Sequence, residues 1–233
     1  MTTPDEAYQV LVFSRTTGFR HDSIPAGIAA VRALGDRHGF GVDATECGAV
    51  FTDDTLPRYA AVVWLSTTGD VLDEPQRTAF QRYVEGGGGY LGVHAAADTE
   101  HRWPWYGGLV GARFHDHPAT QPGTVRIEDG GTAATEGLPR EWPRTDEWYN
   151  FRANPRGSVH VLATVDEATY DPVGYRGGAM GADHPVAWCH RYAGGRSVYT
   201  ALGHTAESYR EPAFLRHLYG ALRMAAGTAP FPA

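Results

Sequence analysis

Short runs that are apolar at almost every position alternate, along the first half of the chain, with stretches whose apolar residues recur every three or four positions. Tyr8 to Phe13, Ala60 to Leu65 and Tyr90 to Val93 are runs of the first kind, the pattern of strands covered on both faces. Ile24, Ile28, Val31 and Leu34 belong to the second. With Asp22 or Ser23 as cap, Pro25 in the first turn and Gly39 at the stop, they predict a helix. Asp73-Glu74-Pro75-Gln76 supplies an N-cap, a first-turn proline and a capping-box glutamine for a second helix, with Phe80, Tyr83 and Val84 inward and Gly86 at its end. A short strand is expected around Val42 to Glu46. The glycines from Gly86 to Gly89 follow a helix and precede a strand, the reverse of what a phosphate cradle requires.

From about Trp103 to Tyr170 the periodicity weakens, and GTVRIE, DEWYNF and VHVLATV read as short strands joined by turns. In DEWYNF, strand alternation sets Glu147, Tyr149 and Phe151 on one face and Asp146, Trp148 and Asn150 on the other, so one carboxylate is expected to face a crevice. PVAWCHRY and SVYTAL flank a hairpin turn at Gly194-Gly195, and residues 211–225 form a closing helix with Phe214, Leu218 and Leu222 on one face. Nothing resembles a repeat or a linker, which predicts one domain over residues 5–228. The expected fold is α/β: a doubly wound, mainly parallel sheet with helices on both faces and additional short strands in the second half. In such folds ligands bind beyond the carboxyl ends of the strands. SRTTGFRH, STTGD, HAAAD and GHTAES all follow strands, and they are expected to converge on one rim.

Composition narrows the chemistry. The chain has 20 Lys plus Arg, every one of them Arg, against 27 Asp plus Glu, for a net charge of -7. Without lysine there is no Schiff base and no P-loop lysine, and an acidic balance argues against nucleic acid and anionic membranes as partners. No run approaches the roughly 20 apolar residues of a membrane span, and the opening MTTPDEAYQVLVF lacks a basic n-region, so a cytoplasmic location is expected. Cys47 and Cys189 are read as small buried residues rather than as a disulfide framework.

Histidine, at 11 copies, is informative through position. His21, His94 and His204 fall in strand-end loops, and His94 stands at the apex of a tight turn after a strand, the place of a nucleophile elbow. Imidazole there points to general acid/base work or metal ligation. Asp98, read as one helical turn further on, would orient His94, contact substrate or stabilise a helix start. His115-Asp116-His117 suggests part of a metal site or a supported turn. Carboxylates beside aromatic rings suit sugars, and Trp103, Trp105 and Tyr106 are candidates for a further aromatic platform.

Taken in order, GFRHDSI at 18–24, GGGYLGVHAAAD at 87–98, LVGARFHDHP at 109–118, DEWYNF at 146–151, HPVAW at 184–188 and GRSVYTALGHT at 195–205 resemble the ThuA-like (trehalose-utilisation) family. The resemblance implies a flavodoxin-like fold related to class I glutamine amidotransferases. It does not imply their chemistry, because His94 stands where their nucleophilic cysteine would be. Carried over by position, the family's recurrent polar residues fall on His21, His94, Asp98, His117, Glu147 and His204. The family is associated with sugar catabolism, including steps on 3-keto disaccharides, and some members are labelled glycosyl hydrolases.

The expectation is therefore a carbohydrate-processing enzyme acting on a glycoside or keto-sugar by His/carboxylate acid-base chemistry. His94 or His21 would remove a proton, and Glu147 or His204 would bind a hydroxyl or protonate a leaving oxygen. Arg20, Asp98, His117 and Tyr149 would contact substrate. No cofactor is required; a divalent metal held by the histidines of a hydrolase is one alternative, and a noncatalytic sugar-binding or regulatory module is another. The expected partner is a small-molecule sugar, with self-association into a homo-oligomer left open.

Overall fold

The computed structural model describes residues 8–232, so residues 5–7 of the expected domain lie outside it. Strand β1 (Gln9–Phe13) is followed by helix α1 (Ile24–His38) and strand β2 (Gly41–Thr45); β3 (Ala61–Leu65), α2 (Glu74–Glu85) and β4 (Gly89–Val93) complete the first half. Every residue of β3 and β4 is buried, as their unbroken apolar runs require. Asp73 caps α2 as the sequence indicates. Its side chain accepts from the Gln76 N–H, and the Gln76 side chain accepts from the Asp73 N–H.

The second half contains a helix that the hydrophobic pattern does not announce, α3 (Pro104–Val110), whose sequence PWYGGLV includes two glycines. Strands β5 (Phe114–Asp116), β6 (Gln121–Ile127), β7 (Glu141–Asp146), β8 (Asn150–Phe151), β9 (His160–Asp166), β10 (Pro185–Tyr192) and β11 (Gly195–Thr200) follow, closed by α4 (Pro212–Ala226). DEWYNF is not one strand: β7 ends at Asp146 and β8 begins at Asn150. The β10–β11 hairpin turns on Ala193-Gly194, one residue earlier than expected; both have positive φ, the requirement of a two-residue turn that matches strand twist.

The main sheet has nine strands in the order β2-β1-β3-β4-β11-β10-β9-β6-β7. The first five are parallel, in the 2-1-3-4-5 order of a flavodoxin-like fold, with β11 in fifth place. β10 and β6 alone run against the others, which leaves seven of the nine pointing one way. Trp64 and Leu65 point to opposite faces. On the Leu65 side Gly27 of α1 packs directly over the Leu65 methyls, and α4 lies beside α1 on the strands. On the Trp64 side Phe13, Phe51, Phe80 and Tyr106 surround the indole, with ring centroids 4.8–5.8 Å from it. No helix among the described residues is long and apolar enough to cross a membrane.

The aromatic layer is fully buried, so Trp64→Ala is expected to cost about 3–5 kcal/mol in urea unfolding. Acid is a second probe. His217 of α4 donates from Nδ1 to the Ala134 carbonyl, and burial lowers its pKa to about 4. The unfolded chain protonates this imidazole near 6.5, so the folded state loses stability as pH falls from about 6.5 to 4, by roughly 3 kcal/mol. Melting temperature against pH should fall over this window, with a shallower slope in His217→Gln.

Candidate functional site

The carboxyl ends of β1, β3, β4 and β11 bring four loops together. The Thr17 N–H donates to the Thr68 carbonyl and the Gly69 N–H to that of Asp98, which ties the first three loops edge to edge. His94 follows β4 in the left-handed region at φ 51 and opens a single 3-10 turn, His94–Asp98, rather than the α-helix start expected for Asp98. Its Nδ1 lies 2.8 Å from the Ala201 carbonyl. A carbonyl can only accept, so Nδ1 carries the proton, and in the neutral ring Nε2 presents a lone pair. The Tyr199 hydroxyl donates to the His94 carbonyl at 2.7 Å and holds the elbow from below.

One carboxylate fixes the other side. Asp146 accepts from the backbone N–H of Glu147 at 3.0 Å, of Gly203 at 2.9 Å and of His204 at 3.0 Å, and from Arg144 Nη2 at 2.9 Å. Gly203 has φ 106, and a Cβ there would come within 2.9 Å of the Tyr209 hydroxyl, so the loop that presents His204 needs glycine. Buried His184 donates from Nε2 to the Tyr149 carbonyl at 2.9 Å and secures the segment carrying Glu147.

His21, His94, Glu147 and His204 meet on this floor, with ligand-capable atoms all within 4.8 Å of one another. His204 Nδ1 lies 3.2 Å from His94 Nε2 and 3.4 Å from Glu147 Oε2, and His94 Nε2 lies 3.5 Å from Glu147 Oε2. The other Glu147 oxygen faces His117 Nδ1 at 3.1 Å. Burial, with His94, His204 and His117 adding to it, lowers the His21 pKa to about 2 and leaves the ring neutral. Burial and His94 also lower His204. Burial would raise Glu147, but the hydrogen bond and charge of His94, with His204 and His117, overcome it and hold the carboxyl below its ordinary value. Asp98 is shifted the other way: burial raises it, and the nearby His101, 3.3 Å away, offsets this only in part.

Above the floor is a cavity of about 290 Å³ lined by Phe19, His21, Thr68, Asp98, Phe114, His117, Glu147, Tyr149, Tyr175 and His204. His94 is fully enclosed, with its ring centroid 4.2 Å from that of Tyr149. Larger grooves of about 310, 350, 380 and 450 Å³ lie elsewhere, but none of these is lined by a histidine. Seven of the eight residues expected at the site thus line this cavity or lie directly under it. Arg20 does neither: it is half exposed and pairs with Glu46 at 2.6 Å.

Other expectations are corrected. Trp103, Trp105 and Tyr106 stack on one another and on the core around α3; the rings at the cavity are Phe19, Phe114, Tyr149 and Tyr175. Asp116 is a structural anchor, accepting from Asn150 Nδ2 and from the N–H groups of Arg176 and Gly178, so the segment bearing Tyr175 is tied down beside His117. Of its flanking histidines only His117 reaches the cavity. Cys189 is buried but Cys47 is exposed, neither is in a disulfide, and neither borders the site. Asp146 and His184, which position the floor without entering the cavity, carry no local sequence signal beyond their place in DEWYNF and HPVAW.

A flavodoxin-like sheet with a histidine at the elbow after β4 and a histidine/glutamate floor defines an α/β protein with a polar site at the strand ends. Residues 9–225 match the family described as trehalose utilisation, and the chain belongs to that ThuA family. Two solved structures of ThuA-like proteins share the fold. The one from Bacteroides uniformis ATCC 8492 is 23% identical, with a TM-score of 0.79 over 96% of this chain and 94% of that one. The other, from Parabacteroides merdae ATCC 43184, is 20% identical, with a TM-score of 0.76 over 98% and 93%. A β-galactosidase from Bacillus circulans sp. alkalophilus contains the same fold in 31% of its length, at 14% identity and a TM-score of 0.60 over 95% of this chain. A search of curated proteins gives no match.

Because Asp146 joins three backbone donors to a buried arginine, Asp146→Ala is expected to destabilise the fold by about 3 kcal/mol and to release the His204 loop. Chemical denaturation measures the first effect. Hydrogen exchange of the Gly203 and His204 amides measures the second, and unchanged protection would contradict the assigned clamp.

Proposed function

We propose that this protein is an enzyme of carbohydrate metabolism that binds a neutral sugar or keto-sugar in the 290 Å³ cavity and transfers a proton on it. The observation that carries the reading is the lining itself. It combines two carboxylates and three imidazoles with four aromatic rings, of which Phe19 and Tyr175 are largely exposed at the rim, and it contains no arginine. Rings cover the C–H faces of a sugar, and carboxylates and imidazoles pair with its hydroxyls. With no lysine in the chain and no arginine among the lining residues, the cavity wall itself lacks the fixed positive charge that a phosphorylated substrate would call for; Arg176 stands behind the Tyr175 ring.

Proton transfer falls best to Asp98. It lines the cavity, and burial raises its carboxyl above the ordinary value, whereas His21 is held neutral with too little proton affinity to serve as a base near pH 7. Glu147 and His204 line the floor, Glu147 accepting from a substrate hydroxyl and His204 donating to a hydroxyl or carbonyl oxygen; His94 lies beneath them, where it orders the floor without touching substrate. A keto group acidifies the neighbouring C–H. Removing that proton leaves an enediolate, and the proton is returned either to a departing β-oxygen or to the adjacent carbon, giving lyase or isomerase chemistry. The site of action in this reading is the cytoplasm, consistent with the two unpaired cysteines.

Incubation with 3-keto-trehalose, trehalose and related glycosides in D2O, followed by NMR, tests the proposal. Exchange or loss of the C–H beside the carbonyl is expected, slowed at least about 100-fold in Asp98→Asn while sugar-induced thermal stabilisation persists. Stabilisation by sugar with neither exchange nor product would instead mark a noncatalytic binding module.

A further inference from the structure

We infer that the floor of the cavity is a binding site for one divalent transition-metal ion, held by His94 Nε2, His204 Nδ1 and Glu147 Oε2 with His21 as the fourth ligand. The spacing supports this first. A tetrahedral ion with bonds of about 2.0–2.1 Å separates its donor atoms by about 3.3 Å. The three separations among His94, His204 and Glu147 are 3.2, 3.4 and 3.5 Å, so these atoms form one face of such a polyhedron with little movement.

The hydrogen bonding around these ligands supports it independently. His94 Nδ1–H is committed to the Ala201 carbonyl, so Nε2 is the nitrogen turned inward, toward His204 Nδ1 and Glu147 Oε2. An ion on that face would satisfy all three atoms at once, displacing any proton they share. His21 sharpens the point: it is 5% exposed, and its Nδ1 is buried without a hydrogen-bond partner.

The surroundings are those of a metal site whose ligands are oriented from outside. Ala201 fixes the His94 ring, Asp146 holds the His204 backbone, and the His117 ring, set by its Nδ1 at 2.8 Å from the Pro118 carbonyl, lies 3.1 Å from Glu147 Oε1. Three nitrogens and one oxygen select Zn²⁺ and its neighbours in the first transition row over Mg²⁺ or Ca²⁺, which take oxygen ligands. Because Glu147, His204 and His21 also line the cavity, a substrate oxygen would reach such an ion as a fifth ligand, and the ion would act on it as a Lewis acid. The inference thus deepens the proposed function by naming what receives that oxygen, but metal binding is measured without any sugar and stands or falls separately.

The experiment strips the full-length protein with chelator, reloads it with Zn²⁺ and reads stoichiometry by elemental analysis and affinity by competition with a chromophoric chelator. Co²⁺ loading adds a visible d–d spectrum that reports coordination geometry. One equivalent of Zn²⁺, a tetrahedral Co²⁺ spectrum and a rise in melting temperature are expected. His204→Ala, at a partly exposed position, and Glu147→Gln should each weaken Zn²⁺ binding at least about 100-fold, while Asp98→Asn should leave it within about threefold of wild type. Binding below one-tenth of an equivalent, or an affinity unchanged in both ligand variants, would overturn the inference. Sugar turnover by the stripped protein would also count against a substrate-binding metal while leaving the proposed substrate class intact.

Discussion

The hydrogen bonds gathered by the Asp146 carboxylate hold together two parts of the chain that would otherwise have no reason to be adjacent. Asp146 ends β7, at the far edge of the sheet order, while Gly203 and His204 follow β11 at its centre. A buried carboxylate needs partners, and here backbone N–H groups and Arg144 provide them. Satisfying that one charge brings Glu147 to the floor of the cavity and turns the His204 loop toward it. His21 and His94 arrive from the opposite side, on the loops after β1 and β4. The site is therefore assembled where the parallel half of the molecule meets its antiparallel extension.

The elbow at His94 supplies the second constraint. A non-glycine residue in the left-handed region costs on the order of 1–3 kcal/mol and persists only when its surroundings over-determine it. The Tyr199 hydroxyl on its carbonyl and the Ala201 carbonyl on its ring provide that determination. Both belong to or adjoin β11, the parallel neighbour of β4, so pairing of these two strands sets backbone, ring orientation and tautomer together.

Much of this was legible in the sequence because it is local or follows from topology. Apolar runs, caps and stops placed β1, α1, β3, α2 and β4 within a residue or two, and the rule that ligands sit beyond parallel strand ends sufficed to gather His21, His94 and His204. Alternation set Asp146 and Glu147 on opposite faces but left open which of them faces the crevice, and it was the family resemblance that singled out Glu147. What failed needed information from distant residues. α3 contains two glycines and is held by packing rather than propensity. The tryptophans near residue 104 gave no sign of whether they face core or cavity. Arg20 was close in sequence to the site but satisfied by Glu46, and Glu100, fully buried, spends its carboxylate on the Val71 and Leu72 N–H groups and Arg77, a network no spacing could reveal.

The position of β11 also governs the order in which the molecule can come into being. It is the last strand synthesised, yet it lies in the middle of the sheet between β4 and β10. Until residue 200 has left the ribosome, those two strands keep open edges facing one another, and the most apolar part of the sheet remains split. His204 emerges only after that gap can close. The nascent chain thus passes through a stage in which it carries most of its core residues but no site, and chain termination or pausing before β11 would leave two adhesive half-sheets rather than a smaller working protein.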